Sequence, residues 1–431
     1  MKEIDIREIS KYVGEKVKIK GWLYNKRSSG KIHFLIIRDG TGFIQCIVEK
    51  SRVKEEVFDL YEKISLETSL EIEGSIREDE RSPFKYEMDV ENINVLNITN
   101  DYPISKKEHG VGFLLPLRHL WLRARKQWAL MRIRHTVIRA IRDFFDSRGF
   151  ILIDAPILTP SACEGTTTLF ETDYFGEKAY LSQSGQLYME AACMAFKKVY
   201  CFGPTFRAEK SKTRRHLMEF WMVEPEIAFA TLNDIMDLAE EFVEYIVGRV
   251  LEERKEELKI LERDVSKLEN IKRPFYRISY TEAVDFLHKN GFSDFKWGED
   301  FGAPQEVKIS ENYDKPVIVH RYPKEAKAFY MKEDPEDPKV VLCMDMLAPE
   351  GYGEIIGGSQ REDDYEKLLK RMQELNMRVD DYKWYLDLRK YGSVPHSGFG
   401  LGLERTVQWI SGIHHIRETI PFPRMLEKIY P

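Results

Sequence analysis

Residues 200–226 hold a dense group of cations between two apolar runs. The runs 200–206 and 218–223 have strand character, and between them lie Arg207, Glu209, Lys210, Lys212, Arg214, Arg215 and His216. An antiparallel hairpin with guanidinium and ammonium groups on its arms and tip suits a polyphosphate. Arg207 is the only cation on its arm, and strand periodicity puts Glu209 on the same face. A planar guanidinium there can grip a phosphate through two parallel hydrogen bonds. The plain alternative is a solvated hairpin with a charged tip.

A second stretch lies near the C-terminus, where PHSGFGLGLER (395–405) places Gly398, Gly400 and Gly402 at alternate positions. Alternate glycines clear one face of a strand, so a flat ligand or a backbone can approach closely. Arg405 opens the helix that follows, where it can lie across an aromatic base or bind a phosphate. Asp345 and Glu354 flank a glycine-rich turn, and two such acids can hold Mg²⁺ against phosphates. Surface carboxylates are the alternative for that pair.

FRAE with HLMEF (206–220) resembles motif 2 of the class II aminoacyl-tRNA synthetases, and GLGLER (400–405) resembles their motif 3. RGFILIDAPILTP (148–160) resembles motif 1, a helix, strand and proline that in this class builds a dimer interface. The similarity spans nearly the whole chain. It narrows to the aspartyl/asparaginyl/lysyl subgroup, because a barrel-like region precedes the catalytic one. The resemblance implies an α+β fold, an OB-type β-barrel followed by an antiparallel catalytic sheet flanked by helices. It also implies three regions: an anticodon-binding barrel over 1–103, a linker over 104–125 and a catalytic domain over 126–431.

By the same resemblance, Arg207 binds the α-phosphate of ATP and the amino-acid carboxylate. Glu209 contacts the adenine amino group or the amino-acid end. Arg215 and His216 reach the γ-phosphate, with Leu217 beside them. Phe220 and Arg405 enclose adenine, and Gly402, Leu403 and Glu404 complete the nucleotide site. Glu354 is the firmer Mg²⁺ ligand, with Asp345 second. Aspartyl relatives often carry a serine three residues after this acid, and here Gly357 stands in its place.

The amino acid is decided by a few positions. LSQSGQLYMEAA (181–192) resembles the subgroup's substrate loop, which implies that Ser184 and Gln186 help hold the α-amino group, with Glu164 in the CEGTTTLF loop closing over it. Aspartyl enzymes have a lysine where this chain has Met189. A buried β-carboxylate without a cation is costly, whereas a neutral amide is not. Arg361 can donate to an amide oxygen and Glu224 can accept from an amide NH₂. Glu224 would also repel aspartate, the near-isostere. These residues look asparaginyl, so L-asparagine, ATP and tRNA(Asn) are the expected substrates. An aspartyl enzyme of relaxed tRNA choice is the alternative that Met189 and Glu224 oppose. An asparagine synthetase on the same core is a third reading, opposed by the N-terminal barrel.

That barrel is legible in the chain. Runs at 16–24, 31–39, 42–50, 69–78 and 86–97 alternate or are rich in β-branched residues, with turn signals at 28–30, 39–42 and 81–83. Five short strands in this span suggest an OB-type barrel that stacks bases on exposed aromatics. Phe34 and Trp22 could instead fill the barrel core; the family resemblance implies that Phe34 stacks on an anticodon base, with Arg27 and Gln45 as polar contacts, while Trp22 is assigned to the core. Residues 106–142 carry ten Lys/Arg and one acid, Glu108. They could face RNA or pack on acidic neighbours.

The 431 residues suffice for two or three domains, and 43% hydrophobic with 32% charged residues is ordinary for a globular chain. A net charge of −6 does not advertise nucleic-acid binding. No run of 18 apolar residues or N-terminal apolar core occurs, so neither a membrane span nor a signal segment is expected. Five scattered cysteines without a CxxC pair argue for reduced thiols, a cytoplasmic setting and no zinc site. A homodimer through the motif 1 region is expected.

Overall fold

The computed structural model describes residues 1–164, 168–211 and 213–431. Lys212 and the Gly165–Thr167 part of the CEGTTTLF loop lie outside the described residues. The chain divides into two compact units, Met1–Leu115 and Pro116–Pro431.

The first unit is built from β1 (Lys2–Glu3), β2 (Lys16–Ser29), β3 (Ile32–Arg38), β4 (Phe43–Glu49), β5 (Ser69–Glu78) and β6 (Tyr86–Asn97). Their order is β1-β2-β3-β4-β6-β5, and β2 also pairs with β5, which closes the barrel. Val17, Ile19 and Leu23 of β2 point inward with Leu35 and Ile37 of β3 and Leu70 and Ile72 of β5. The period-two pattern therefore does what it predicts.

The second unit holds two sheets. A small one joins β8 (Leu158–Thr159), β9 (Glu171–Tyr174) and β10 (Glu177–Leu181) in the order β8-β10-β9. The large one contains β7 (Ile151–Leu152), β11 (Lys198–Phe206), β12 (Glu219–Ala228), β13 (Tyr276–Ser279), β14 (Val317–His320), β15 (Cys343–Ala348), β16 (Gly353–Gln360) and β17 (His396–Gly402). Its order is β13-β14-β15-β16-β17-β12-β11-β7. The inner strands are antiparallel; β13 runs parallel to β14, and β7 to β11. The fold is thus α+β.

The helix Arg125–Asp146 covers this sheet through Leu130, Ile133, Val137, Ile141 and Phe144. These recur at helical spacing, and burying each such side chain contributes about 1.5–3 kcal/mol. Gly149 follows at φ +74°, a conformation that stops the chain from continuing as helix. The block 231–268 is charged and periodic, as a packed surface helix with solvated acids and lysines would be. It is a helix Leu232–Glu253 and two shorter helices, and its apolar face, including Ile235, Phe242 and Ile246, enters the main core.

The basic stretch 106–142 is largely committed to the protein. Arg118 is buried and donates to the carbonyls of Pro421, Glu418 and Ile420. Arg132 pairs with Glu257 at 2.6 Å, and Arg134 with Glu404 at 2.7 Å. All five cysteines are buried and free. Among the described residues no helix is long and apolar enough to cross a membrane.

Candidate active site

The charged hairpin forms with β11 and β12 in register from Lys198↔Ile227 to Phe206↔Glu219. β11 ends at Phe206, so Arg207 and Glu209 lie beyond the strand and strand periodicity does not relate them. Both nevertheless line one cavity of about 890 Å³. The same cavity is lined by Arg215, His216, Leu217, Phe220, Glu354, Gly402 and Arg405.

Several of these side chains are poised for an anion. Arg207 Nε and Arg215 Nε and NH1 are buried with no hydrogen-bond partner among the described residues. A buried donor without a partner costs about 1–3 kcal/mol, so the arrangement calls for an acceptor from outside the protein. Burial works against the charge of Arg207, but the carboxylates of Glu164, Glu209 and Glu354 outweigh it and raise its pKa. Arg215 donates from NH2 to Glu306 at 2.8 Å. Gly353, at φ +68°, permits this approach, because a Cβ there would stand 2.4 Å from Arg215 NH1.

Phe220 faces the Arg207 guanidinium with 5.5 Å from ring centre to cation. Arg405, in the first turn of the helix Leu403–Ser411, donates to the Glu354 carboxylate at 2.9 Å. His216 Nε2 lies 3.3 Å from Glu209. Burial, then the Arg405 cation, push the His216 pKa below its ordinary value.

Asp345 on β15 and Glu354 on β16 flank Gly357. A Cβ at Gly357 would lie 3.0 Å from Glu354 Oε1 and 3.4 Å from Asp345 Oδ1, so glycine leaves the space between the acids open. Burial pushes the Asp345 carboxyl up to about 7, against the pull of Lys327. Glu354 is held below the usual range: burial opposes its charge, but Arg405, Lys327, Arg207 and Arg215 prevail. Oxygen donors of this kind suit Mg²⁺. Among the described residues no group of three or more His, Cys, Asp or Glu could hold a metal, so two carboxylates would need further oxygens from a substrate.

The same cavity is also lined by Glu164, Ser184, Gln186, Glu224 and Arg361. Glu224 is buried and already partnered: it accepts from Ser184 Oγ, from the Gly185 N–H at 2.8 Å and from Cys201 Sγ at 3.4 Å. Burial pushes its carboxyl up despite these bonds. Arg361 is held by Glu226 through Nε at 3.0 Å and NH2 at 2.9 Å, and NH1 donates to Ser359 Oγ at 2.8 Å. Glu164 accepts from the Tyr330 hydroxyl at 3.0 Å.

Two expected site residues are placed elsewhere, and a third is bound up within the protein. Met189 does not line the cavity; it is buried with Cys193, Val199, Cys201 and Ala228. Leu403 is buried in the main core, where helix phase turns it away from Arg405. Glu404 touches the cavity wall, but its carboxylate is bound to Arg134 at 2.7 Å and to the Trp221 N–H at 2.9 Å. It joins strand to helix rather than facing a ligand.

Other residues escaped the sequence reading. Lys327 lines the cavity and lies 2.8 Å from Asp345 and 3.2 Å from Asp300. It falls in 290–345, where no period identifies an element. Tyr330 and Glu306 come from the same region. Glu226 was legible: it follows Glu224 by two on β12, so it shares that face.

In the first unit, Phe34 and Arg27 are cross-strand partners, and the guanidinium covers the ring at 4.0 Å. Gln45 is buried and donates to Glu87 at 2.7 Å. Trp22 does not fill the barrel. It is 39% exposed with Arg38 over its ring at 4.7 Å, because inward positions of β2 belong to Leu23 and its alternates.

An antiparallel sheet that carries this hairpin, a glycine-alternating strand and a facing arginine has the architecture of a class II aminoacyl-tRNA synthetase core. The family described as tRNA synthetases class II (D, K and N) matches residues 110–426, and an OB-fold nucleic acid binding domain matches 17–96. The chain is 60% identical to the asparagine–tRNA ligase of Desulforamulus reducens, over 99% of each chain. It is 59% identical to that of Pelotomaculum thermopropionicum over 100% of both. The asparaginyl-tRNA synthetase of Pyrococcus horikoshii, solved with asparaginyl-adenylate, superposes with a TM-score of 0.96 at 48% identity and 100% coverage of both chains. The chain belongs to the asparagine–tRNA ligase family of class II tRNA synthetases.

Proposed function

We propose that this protein activates L-asparagine with ATP and transfers it to tRNA(Asn). The carrying observation is that one cavity is lined by Arg207 and Arg215, which carry guanidinium nitrogens without a partner among the described residues, and by Glu224 and Arg361. The asparagine carboxylate attacks the α-phosphorus, the bond to the bridging oxygen breaks, and pyrophosphate leaves. A ribose hydroxyl of the tRNA end then attacks the acyl carbon and AMP departs. No protein nucleophile is needed; the chain must orient two anions and offset their charge.

Arg207 spans the α-phosphate and the carboxylate, with Glu209 beside it. Arg215 and His216 take the outer phosphates, and Phe220 and Arg405 enclose adenine. Glu164, Ser184 and Gln186 bind the α-ammonium. Arg361 donates to the side-chain amide oxygen and Glu224 accepts from its NH₂. Asp345 and Glu354 would hold Mg²⁺, which when bound would offset phosphate charge. Residues 1–103 bind the anticodon through Phe34, Arg27 and Gln45, with 104–125 as the connection and 126–431 as the catalytic domain. The exposed Ile151, Leu152, Ile157 and Leu158 support a homodimer through this segment. The setting is the cytoplasm.

ATP–pyrophosphate exchange without tRNA, run with each amino acid, tests the reading. Exchange with asparagine and little with aspartate is expected. Preference for aspartate would make the aspartyl alternative correct.

A further inference from the structure

Glu190 is completely buried on the helix Gln186–Phe196, one turn beyond Gln186, and it does not line the cavity. Its Oε1 accepts from Gln186 Nε2 at 3.0 Å and from the Tyr385 hydroxyl at 2.8 Å. Its Oε2 accepts from Arg389 NH2 at 2.7 Å and faces His396 Nε2 at 2.9 Å. Arg361 Nε lies 4.0 Å from Oε1. The partners are themselves anchored: Arg389 Nε donates to Glu362 O at 2.8 Å, and His396 Nδ1 lies 2.8 Å from Val394 O. Burial alone would push the Glu190 carboxyl up, but Arg389, His396 and Arg361 outweigh it and hold it well below the usual range.

An ionised carboxylate accepts hydrogen bonds and cannot donate them. Gln186 must therefore turn its amide nitrogen toward Glu190. That leaves the amide oxygen, an acceptor, for the cavity. An acceptor suits an ammonium; an NH₂ turned outward would oppose one. The same acid faces Arg361, which lines the cavity and is gripped by the Glu226 carboxylate.

We propose that Glu190 is a positioning residue: it sets which end of the Gln186 amide meets the α-ammonium of the amino-acid substrate, and it helps hold Arg361 toward that substrate's side chain. This rests on the asparagine-activating reading of the cavity. Nothing in it concerns ATP, which gives the proposal a separable signature.

The test is steady-state ATP–pyrophosphate exchange with Glu190→Gln, whose amide can donate and so lets Gln186 turn over. The expected result is a rise of about tenfold in the KM for asparagine, with the KM for ATP and kcat changed by less than about threefold. In a Gln186→Ala background the same substitution should cost much less, because residues that act through one another are not additive. Equal rises in both KM values, or fully additive costs, would overturn the proposal.

Losing a buried charge beside Arg389 could prevent folding. If it does, Tyr385→Phe decides, since its hydroxyl touches both Glu190 oxygens at 2.8 and 2.9 Å. A rise of about threefold in asparagine KM with ATP KM unchanged is expected there; no change overturns the proposal. A wild-type protein that exchanges a different amino acid overturns the proposed function instead. The Glu190 effect on that amino acid's KM would still decide the positioning role.

Discussion

The carboxylate of Glu226 occupies the space that any side chain at Gly398 would need. A Cβ built at Gly398 would stand 2.0 Å from Glu226 Oε2 and 2.4 Å from the Pro225 carbonyl. Gly398 of β17 thus clears space for the protein's own acid, which in turn holds Arg361 by two hydrogen bonds.

Gly398→Ala should therefore destabilise the fold by about 1–3 kcal/mol, as overpacking does, and lower asparagine-dependent exchange as well. Gly400→Ala is the internal control. Its Cβ would meet Met222 Cε at 2.4 Å, the far end of a flexible side chain that can turn aside. Thermal unfolding of the two variants compares them directly, and equal losses would refute the explanation.

Discrimination against aspartate should weaken in acid. Burial raises the Glu224 pKa, so as pH falls its carboxyl takes up a proton earlier than an ordinary glutamate does. Protonated, it no longer repels a β-carboxylate and can donate to one. The ratio of kcat/KM for asparagine over aspartate should fall as the medium is made more acidic, and Glu224→Gln should flatten that dependence and lower the ratio about tenfold or more. A ratio independent of pH in the wild type would remove Glu224 from this role.

Arg215→Ala should lower kcat/KM for ATP by about 100-fold, the scale of one lost charge-assisted contact to a developing anion. The KM for asparagine should hardly move, because Arg215 is held by Glu306 and is not one of the residues proposed to bind the amino acid. Exchange kinetics with each substrate varied in turn separate the two effects.

Phe34→Ala should cost the aminoacylation of tRNA about 1–3 kcal/mol in kcat/KM, the worth of one base stacked on an aromatic ring. Exchange without tRNA should be unchanged. Arg27 now covers the Phe34 ring at 4.0 Å, so a base must displace that guanidinium, and Arg27→Ala should affect tRNA binding less than loss of the ring. A matching loss in tRNA-free exchange would show that Phe34 acts through stability.

Much of the barrel was legible because its cues are local. The run at 69–78 alternates cleanly and forms β5 over Ser69–Glu78. The hairpin cations were legible for the same reason, since a cluster of arginines between apolar runs is a feature of neighbours in the chain. Trp22 and Met189 were misjudged in opposite directions. An aromatic on a strand can face either side, and Trp22 faces outward. A methionine beside polar site residues can still be turned into the core by helix phase. Lys327 gave no signal, because its role depends on Asp345 and Asp300.

The sequence by itself determined the strand and helix runs, the charged hairpin, the glycine-alternating strand and the family they belong to. The runs, the hairpin and the strand follow from periodicity and from residue types set close together in the chain; the family follows from the resemblance of its motifs. Only the tertiary structure decided which charges are spent and which are free. Arg361 reaches Glu226 across 135 residues because the sheet order sets β17 between β12 and β16. Arg215 and Arg207 keep unpartnered nitrogens because the described residues do not offer them enough acceptors. Partnership between distant side chains depends on distances that no local pattern encodes, and those distances separate residues that hold the site together from residues left to meet a substrate.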